Sequence, residues 1–296
     1  MKYNTILDTI GNTPLIEITG YSYKPEVKIF AKLEGTNPGG SVKDRIALSM
    51  IRKAIINKKL MNDKTLIEAT SGNTGIGIAM ITTSMHIPFL AVMPESVSIE
   101  RRKLLSAFGA QILLTDGSKG TNYAIEVARN MITESHKKYY SLDQFSNEEN
   151  VFAHYKTTGN EIVKDIPEVT HFVAGMGTGG TLMGAGKKLK EVRSTIQIVG
   201  IEPIAGSKIQ GLRNMNAYTP AIYSESKLDR KLLIPEDGLA FEYARDITKR
   251  KGISVGISSG AALWGAIETS KNITKGIIVT VFPDRGDRYI STKLFS

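Results

Sequence analysis

The chain alternates short apolar segments with longer stretches in which apolar residues recur at helical spacing. Segments such as KIFAKLE (28–34), TLIEA (65–69) and THFVAGM (170–176) predict strands, and a helical pattern follows each of them. Short polar loops separate the two kinds of segment. Alternation of strand and helix is typical of parallel sheets that helices cover on both faces. The pattern therefore predicts an α/β fold with mainly parallel, twisted sheets flanked by helices.

Two series of such segments follow one another along the chain. The first covers roughly residues 40–146 and the second roughly residues 150–296, without internal repeats or low-complexity tracts. Each series is long enough to form its own sheet. We therefore expect two domains, a smaller one at 41–149 and a larger one built from 1–40 and 150–296.

The composition suits a folded globular protein, since 41% of the 296 residues are hydrophobic and 23% are charged. The longest apolar runs, such as IIVTVF (277–282), are far too short to span a bilayer. The first residues lack the apolar core of a signal peptide. We therefore expect a cytoplasmic protein with no membrane partner. The absence of cysteine excludes disulfides and thiolate metal sites.

The net charge of +9 raises the question of a nucleic-acid partner. Proteins that bind nucleic acid concentrate their basic residues on one face. Here basic groups such as Lys58–Lys59, Lys187–Lys190 and Lys249–Lys251 are scattered toward the ends of predicted helices, where they suit the helix dipole. We expect an ordinary solvated surface and no nucleic-acid partner, and a mild attraction for small anions stays open.

The loop GTGGT (177–181) follows a predicted strand and opens a predicted helix. Ligands of parallel sheets bind beyond the carboxyl ends of the strands. Glycines let backbone N–H groups converge there, and the helix N-terminus adds partial positive charge, so the loop favours a phosphate. A tight packing corner is the alternative. The loop lacks the Lys-Ser/Thr pair of a P-loop and the spacing of a dinucleotide site, although Glu202 at the end of the next strand keeps a dinucleotide possible.

The loop TSGNTG (70–75) is a second candidate site, after the strand TLIEA. Its hydroxyl and amide side chains crowd neutral hydrogen-bond donors around a helix N-terminus, which favours a carboxylate. The alternative is an ordinary helix start in which Ser71 or Asn73 is the capping residue.

Lys43 lies within NPGGSVKDR (37–45), a third glycine-rich loop. The loop lacks the glycine spacing of a Walker A motif. No Ser-His-Asp set is recognisable, and the chain's histidines, His86, His136, His154 and His171, show no metal-ligand spacing. A lysine beside a phosphate site and a carboxylate site has one well-known use, the Schiff base with pyridoxal phosphate.

Four motifs in this order, NPGGSVKDR, TSGNTG, GMGTGGT and GISSGAA, resemble those of the cysteine synthases. GNTPL (11–15), HYKTTGNEI (154–162) and PDRGDRYIST (283–292) extend the resemblance over essentially the whole chain. The cysteine synthases belong to the fold-type II pyridoxal phosphate enzymes, whose fold is that of the tryptophan synthase β chain. The resemblance implies that 41–149 is a mobile substrate-loop domain and that the larger domain anchors the cofactor.

The resemblance also implies a role for each matching residue. Lys43 is the Schiff-base lysine, Asn73 binds the 3′ oxygen of the cofactor, and Ser258 faces its pyridine nitrogen. The phosphate is held by Gly177, Thr178, Gly179, Gly180 and Thr181. The substrate carboxylate is bound by Thr70, Ser71, Thr74 and Gln144. No metal is implied.

The implied reaction is a β-replacement that makes L-cysteine from an activated serine and sulfide through an aminoacrylate, with Lys43 as the general base. Ser258 can donate to an unprotonated ring nitrogen but cannot keep a proton there as an aspartate would. The ring is then a weaker electron sink, which disfavours racemisation and transamination. Related enzymes that make cystathionine, lanthionine or hydrogen sulfide stay open. So do a serine/threonine dehydratase, whose lysine motif usually reads nearer SFKxRGA, and a non-catalytic binding protein, against which an intact Lys43 counts.

Two segments depart from the commoner family pattern. SKIQGLRNMNAYTP (207–220) carries Arg213 where small residues are usual, and it resembles cysteine synthases of the B type, some of which accept O-phosphoserine. A guanidinium grips phosphate bidentately, so Arg213 is a candidate for recognising a phosphoserine leaving group. The alternative is that Arg213 pairs with a nearby acid and shapes the loop. In PDRGDRYIST, Arg285 replaces a small residue, with no consequence that the sequence reveals.

The resemblance implies small-molecule partners, an amino-acid substrate and a sulfur donor, and a homodimer. The sequence leaves open whether acetylserine, phosphoserine, serine or cysteine is the substrate, and whether the sulfur comes from sulfide, thiosulfate or a carrier protein. Some relatives bind the C-terminal tail of serine acetyltransferase in the active site. The B-type segment around Arg213 argues against that partner here.

Overall fold

The computed structural model describes residues 2–61 and 63–295. Its strands are β1 (Leu15–Glu17), β2 (Val27–Leu33), β3 (Thr65–Ala69), β4 (Phe89–Pro94), β5 (Gln111–Thr115), β6 (Tyr139–Tyr140), β7 (His171–Gly175), β8 (Gln197–Pro203), β9 (Arg230–Ile234) and β10 (Gly276–Phe282). Its α-helices are α1 (Lys43–Ile56), α2 (Asn73–Ser84), α3 (Ile99–Ala107), α4 (Gly120–Glu134), α5 (Glu148–His154), α6 (Asn160–Asp165), α7 (Gly180–Val192), α8 (Asp237–Lys251) and α9 (Ile257–Lys271). A π-helical turn, Tyr155–Gly159, joins α5 to α6.

The chain divides into two compact units. The first contains the residues up to Ile10 together with Lys43–Glu149, and the second contains Gly11–Val42 together with the residues from Asn150 onward. This division places the residues up to Ile10 in the first unit, whereas the boundaries drawn from the sequence put them with the larger one. The mobility of the smaller unit stays a prediction.

The first unit is built on a four-stranded parallel sheet in the order β5-β4-β3-β6. Its central strand β4, FLAVMP, is buried along its whole length, as expected for a parallel strand with both faces covered. Helix α4 covers one face, where Ala124 and Ala128 pack against Ile67 and Val92. The carboxyl end of β3 leads directly into the TSGNTG loop and α2.

The second unit is built on a six-stranded sheet in the order β1-β2-β10-β7-β8-β9. All neighbouring strands are parallel except β1, which pairs antiparallel with β2 at the edge. Helix α9 is almost entirely buried and lies between the sheet and α8. Two glycines permit this close packing, because a Cβ at Gly265 would overlap Ile201 of the sheet and a Cβ at Gly260 would overlap the backbone of Ala240. The prediction of an α/β fold with mainly parallel sheets is confirmed.

The structure adds elements that the hydrophobic pattern did not indicate. These are the short strands β1, β6 and β9 and the helical segment α5–π turn–α6. The last helix begins at Ile257, so that the sequence GISSG supplies its N-cap, Gly256, and its first turn. Within 2–61 and 63–295, none of the helices has the length and apolar character needed to cross a membrane.

Candidate functional site

In the first unit, Lys43 is the first residue of α1 and lies partly buried at the end of its glycine-rich loop. The next residue, Asp44, is fully buried against α2. A Cβ at Gly77 of α2 would lie 3.0 Å from the Asp44 carboxylate and 3.4 Å from its backbone nitrogen. Because Gly77 has no side chain, the first turns of α1 and α2 lie side by side. This arrangement places Lys43, at the start of α1, near the start of α2 within the first unit.

The TSGNTG loop presents hydroxyl groups at the start of α2, as predicted. Thr70 packs against Gly75, where an added Cβ would lie 2.8 Å from its methyl group. Thr74 donates through its hydroxyl to the side-chain oxygen of Gln144 at 2.9 Å. The alternative that Ser71 or Asn73 caps the helix is wrong, because the N-cap is Gly72, which has no side chain to offer. The first backbone N–H groups of a helix have no partner within it and suit an anion.

Glu68, near the end of β3, holds the loop that carries Gln144. Its carboxylate accepts hydrogen bonds from the Ser141 hydroxyl at 2.9 Å and from the Leu142 N–H at 3.1 Å. Burial raises the pKa of Glu68 to about 7, although both hydrogen bonds oppose the shift. Sequence reasoning missed this residue, because one acid in an apolar strand has no distinguishing motif.

The raised pKa of Glu68 predicts that wild-type stability depends on pH. The folded state holds this proton more tightly than the unfolded chain, so its contribution to stability is complete below about pH 4.5 and is lost as the pH rises toward 7. Glu68→Gln keeps an acceptor oxygen, and its side chain does not ionise as the pH rises. We expect the variant to gain roughly 2 to 3 kcal/mol relative to wild type between pH 5 and pH 8, measured by urea unfolding. Exposed Glu126 on α4 supplies the control, since Glu126→Gln has no buried charge to relieve; an equal gain in both variants contradicts the prediction.

In the second unit, the GTGGT loop joins the end of β7 to the start of α7. Gly179 has a φ of 86°, in the left-handed region that favours glycine. A Cβ at Gly177 would collide with the carbonyl oxygen of Gly211, and a Cβ at Gly180 would collide with the Asn150 side chain. The loop is therefore restricted to glycine at these positions, and its N–H groups lie at a helix N-terminus, the arrangement that binds phosphate.

Both threonines of this loop contact α5, a helix that the sequence did not reveal. Thr178 accepts a hydrogen bond from the Asn150 side-chain amide at 3.0 Å. The Thr181 hydroxyl lies 3.2 Å from Nε2 of His154. HYKTTGNEI, which begins at His154, was the only signal in the sequence for this contact.

Ser258 lies in the first turn of α9 and is 4% exposed. Gly211 lies between Ser258 and the GTGGT loop. A Cβ at Gly211 would lie 3.9 Å from the Ser258 hydroxyl, and the Gly211 carbonyl oxygen lies against Gly177. Ser258 and the GTGGT loop are thus brought together within one unit. Gly211, with a φ of 90°, is a site residue that sequence reasoning did not single out.

The PDRGDRYIST segment supports the loops that precede Lys43 and Ser258. The Pro283 carbonyl accepts from the Val42 N–H at 2.8 Å, and the Asp284 carbonyl accepts from the Gly256 N–H at 3.2 Å. The Arg288 guanidinium donates to the carbonyl of Gly39. This segment therefore fixes the backbone that enters the first turn of α1.

The two unusual arginines have different surroundings. Arg213 is exposed, and its backbone N–H donates to the Met176 carbonyl at 2.7 Å. Its guanidinium carbon lies 5.4 Å from the centre of the Tyr218 ring. Arg213 therefore lies next to the GTGGT loop. Arg285 forms a 2.8 Å ion pair with Asp287 in which both side chains are more than half exposed. An exposed pair of this kind contributes little to stability.

The dinucleotide alternative for the GTGGT loop loses support. The buried Glu202 carboxylate pairs with Lys231 at 3.2 Å and accepts from the Met215 N–H at 2.7 Å, so the fold uses the acid that a dinucleotide ribose would need. Among the residues that the structure describes, no group of three or more acidic or histidine side chains is arranged to hold a metal ion.

The chain matches known proteins over its whole length. The family model described as "Pyridoxal-phosphate dependent enzyme" matches residues 6–284. Cysteine synthase of Aquifex aeolicus is 44% identical over 99% of this chain and 92% of its own length. Cysteine synthase B of Pseudomonas aeruginosa is 39% identical over 100% of this chain and 98% of its own.

Solved structures of enzymes with similar names also superpose closely on this chain. O-acetylserine sulfhydrylase isoform 3 from Entamoeba histolytica superposes with a TM-score of 0.93 at 37% identity, covering 100% of this chain and 92% of its own. The O-acetylserine dependent cystathionine β-synthase from Helicobacter pylori superposes with a TM-score of 0.91 at 35% identity, covering 100% of both chains.

Proposed function

Because the chain belongs to the pyridoxal-phosphate dependent enzymes and, within them, to the cysteine synthases, we propose that it forms L-cysteine from an activated serine and sulfide. The substrates are small molecules, and pyridoxal phosphate is the cofactor. The observation that carries the proposal is the glycine-restricted loop at the start of α7 in the second unit, in a chain whose first unit carries Lys43 at the first position of α1.

The residues present fit the cofactor. The GTGGT loop offers backbone N–H groups where an added Cβ at Gly177 or Gly180 would fill the space, so a phosphate is the group that the loop suits. We assign the phosphate to Gly177, Thr178, Gly179, Gly180 and Thr181, the 3′ oxygen to Asn73, the ring nitrogen to Ser258 and the covalent attachment to Lys43. When bound, the cofactor withdraws electrons from the substrate Cα, which makes the Cα proton acidic enough to be removed.

Lys43 carries the proton chemistry in this proposal. Its ε-amine would accept the substrate Cα proton as general base and would return it after sulfide has added at Cβ. Acetate or phosphate leaves from Cβ. Ser258 supports this outcome, since a buried neutral hydroxyl donates to the ring nitrogen without holding a proton on it.

The substrate carboxylate is assigned to the start of α2. The four residues that we propose for it are Thr70, Ser71, Thr74 and Gln144. The contact between Thr74 and Gln144 supports the assignment, because it places a hydroxyl and an amide side by side at a helix N-terminus. Glu68 contributes by holding the Gln144 loop against β3.

We propose that Arg213 recognises the phosphate of O-phosphoserine. The guanidinium lies 5.4 Å from the centre of the Tyr218 ring, on a loop that adjoins GTGGT, and a guanidinium has the geometry to contact a phosphate bidentately. The test is a panel of activated serines offered with sulfide, with products identified by mass spectrometry. Cysteine from O-acetylserine or O-phosphoserine is the expected product; if neither yields cysteine, the proposed function is wrong.

The same panel tests the arginine. Arg213→Ala is expected to lower kcat/KM for O-phosphoserine by about tenfold or more, because one charge-assisted contact is lost, and to change the use of O-acetylserine little. Arg285→Ala is the matched control, since Arg285 is an exposed arginine of the same unit whose partner is Asp287. Equal use of O-phosphoserine by wild type and Arg213→Ala rules out this role.

Cystathionine formation is the second candidate, supported by the likeness to the Helicobacter pylori enzyme. Homocysteine in place of sulfide in the panel separates the two activities. We also propose a cytoplasmic homodimer, as the family resemblance implies. Serine acetyltransferase is not proposed as a partner, because the segment around Arg213 resembles that of B-type cysteine synthases.

A further inference from the structure

One face of helix α5 lies behind the phosphate loop and contacts both of its threonines. Asn150 and His154 are four residues apart on α5 and therefore point to the same side. The Asn150 amide donates to Thr178 at 3.0 Å, and His154 Nε2 lies 3.2 Å from the Thr181 hydroxyl. Asn150 is 0% and His154 1% exposed. Two buried polar side chains thus face the two hydroxyl groups of the loop.

The contacts of Thr178 settle where its proton can go. A hydroxyl has one proton and two acceptor sites. The Thr178 oxygen accepts from the Asn150 amide at 3.0 Å and from the Gly180 N–H at 3.3 Å, and both of these groups are donors. Because its acceptor sites are filled from the protein side, its proton is available for an acceptor in the loop.

The contacts of His154 allow the same arrangement at Thr181. Nδ1 of His154 lies 2.9 Å from the hydroxyl of Thr158, which the π-helical turn carries. In a neutral imidazole one ring nitrogen donates and the other accepts. When Thr158 donates to Nδ1, the Nε2–H donates to Thr181, and the Thr181 proton is likewise left for the loop. The opposite tautomer would draw the Thr181 proton away from it.

A phosphate dianion only accepts hydrogen bonds, so it is the ligand that two such protons fit. We propose that Asn150, His154 and Thr158 are positioning residues that direct the hydroxyl protons of Thr178 and Thr181 at the cofactor phosphate, with His154 as the Nε2–H tautomer. This inference rests on the proposed function, since the anion is the phosphate of the cofactor. π-helical turns occur frequently at functional sites, and here the turn supplies the residue that fixes the tautomer.

The test compares two substitutions and two cofactors. His154→Asn places its amide near the Nδ1 position and removes the donor to Thr181, whereas His154→Gln can place an amide N–H at the Nε2 position. Pyridoxal, which lacks the phosphate, is the second cofactor. His154→Asn is expected to weaken binding of pyridoxal phosphate by about tenfold or more and to leave pyridoxal unchanged, and His154→Gln is expected to retain most of the affinity.

The outcomes separate this inference from the proposed function. A wild-type protein that binds neither cofactor overturns both. Wild-type preference for pyridoxal phosphate, together with an equal weakening of both cofactors by His154→Asn, shows a packing role and overturns the inference alone. An unchanged affinity of His154→Asn for pyridoxal phosphate also overturns the inference alone. Should His154→Asn fail to fold, ¹⁵N NMR of the unmodified holoenzyme decides: the Nε2–H tautomer of His154 is expected, and an Nδ1–H tautomer or an imidazolium overturns the proposal.

Discussion

Replacement of Lys43 by alanine is expected to lower cysteine formation by at least about a thousandfold. The side chain has two roles in the proposed reaction, covalent attachment of the cofactor and removal of the Cα proton, and alanine can perform neither. The visible absorption band of the lysine-bound cofactor should disappear as well. Steady-state assays with O-acetylserine and sulfide, together with an absorption spectrum of the reconstituted protein, measure both effects.

Lys53→Ala is the matched control for this substitution. Lys53 is in the same helix, and its exposed ammonium lies 3.8 Å from Glu149. A pair of this kind contributes at most about 1 kcal/mol, so activity and absorbance should stay near wild type. Full activity of Lys43→Ala would assign the chemistry to another group and remove the basis of the proposed mechanism.

Gly177→Ala is expected to lower the affinity for pyridoxal phosphate by about tenfold to a hundredfold. The φ of Gly177 lies outside the left-handed region, so the obstacle is space: the new methyl group would meet the carbonyl oxygen of Gly211. That oxygen belongs to the backbone and cannot move aside as a side chain can. Because Gly211 also adjoins Ser258, separation of the two segments should also displace Ser258 from the position that we propose for its contact with the ring nitrogen.

Gly238→Ala provides the comparison for Gly177→Ala. Gly238 is near the start of α8, where the nearest atom to an added Cβ is 3.8 Å away, an ordinary contact. Because the added methyl group meets no close atom, this variant should bind the cofactor normally. Alanine is the better helix former by about 0.5 to 1 kcal/mol, so the free energy of unfolding should rise slightly. Titration of both apoproteins with pyridoxal phosphate makes the comparison. Equal affinities show that the Gly177 position tolerates a side chain.

The features that the sequence predicted well are those with a local cause. The apolar strands, the glycine loops and the alternation of strand and helix each depend on residues that are neighbours in the chain. The GTGGT loop could be identified because β7, the turn and α7 are consecutive. Lys43 could be placed at the start of a helix because its loop follows the same rule.

The features that the sequence did not reveal depend on residues far apart. Asn150 and His154 contact the phosphate loop from a helix whose sequence, EENVFAH, shows no binding motif. Gly211 is important only because two other segments meet it. PDRGDRYIST holds the loop before Lys43, which begins more than two hundred residues earlier in the chain, and no local pattern encodes such a contact.

The position of β10 has a consequence for the order in which the protein folds. This strand lies inside the second sheet, between β2 and β7, and every parallel contact of β2 is with it. A ribosome therefore releases β2 long before it makes the strand that β2 needs, whereas β3, β4, β5 and β6 emerge consecutively and can assemble during translation. Until Phe282 has been synthesised, β2 therefore exposes the backbone edge with which β10 will pair, and an unpaired edge of this kind favours mispairing with other strands.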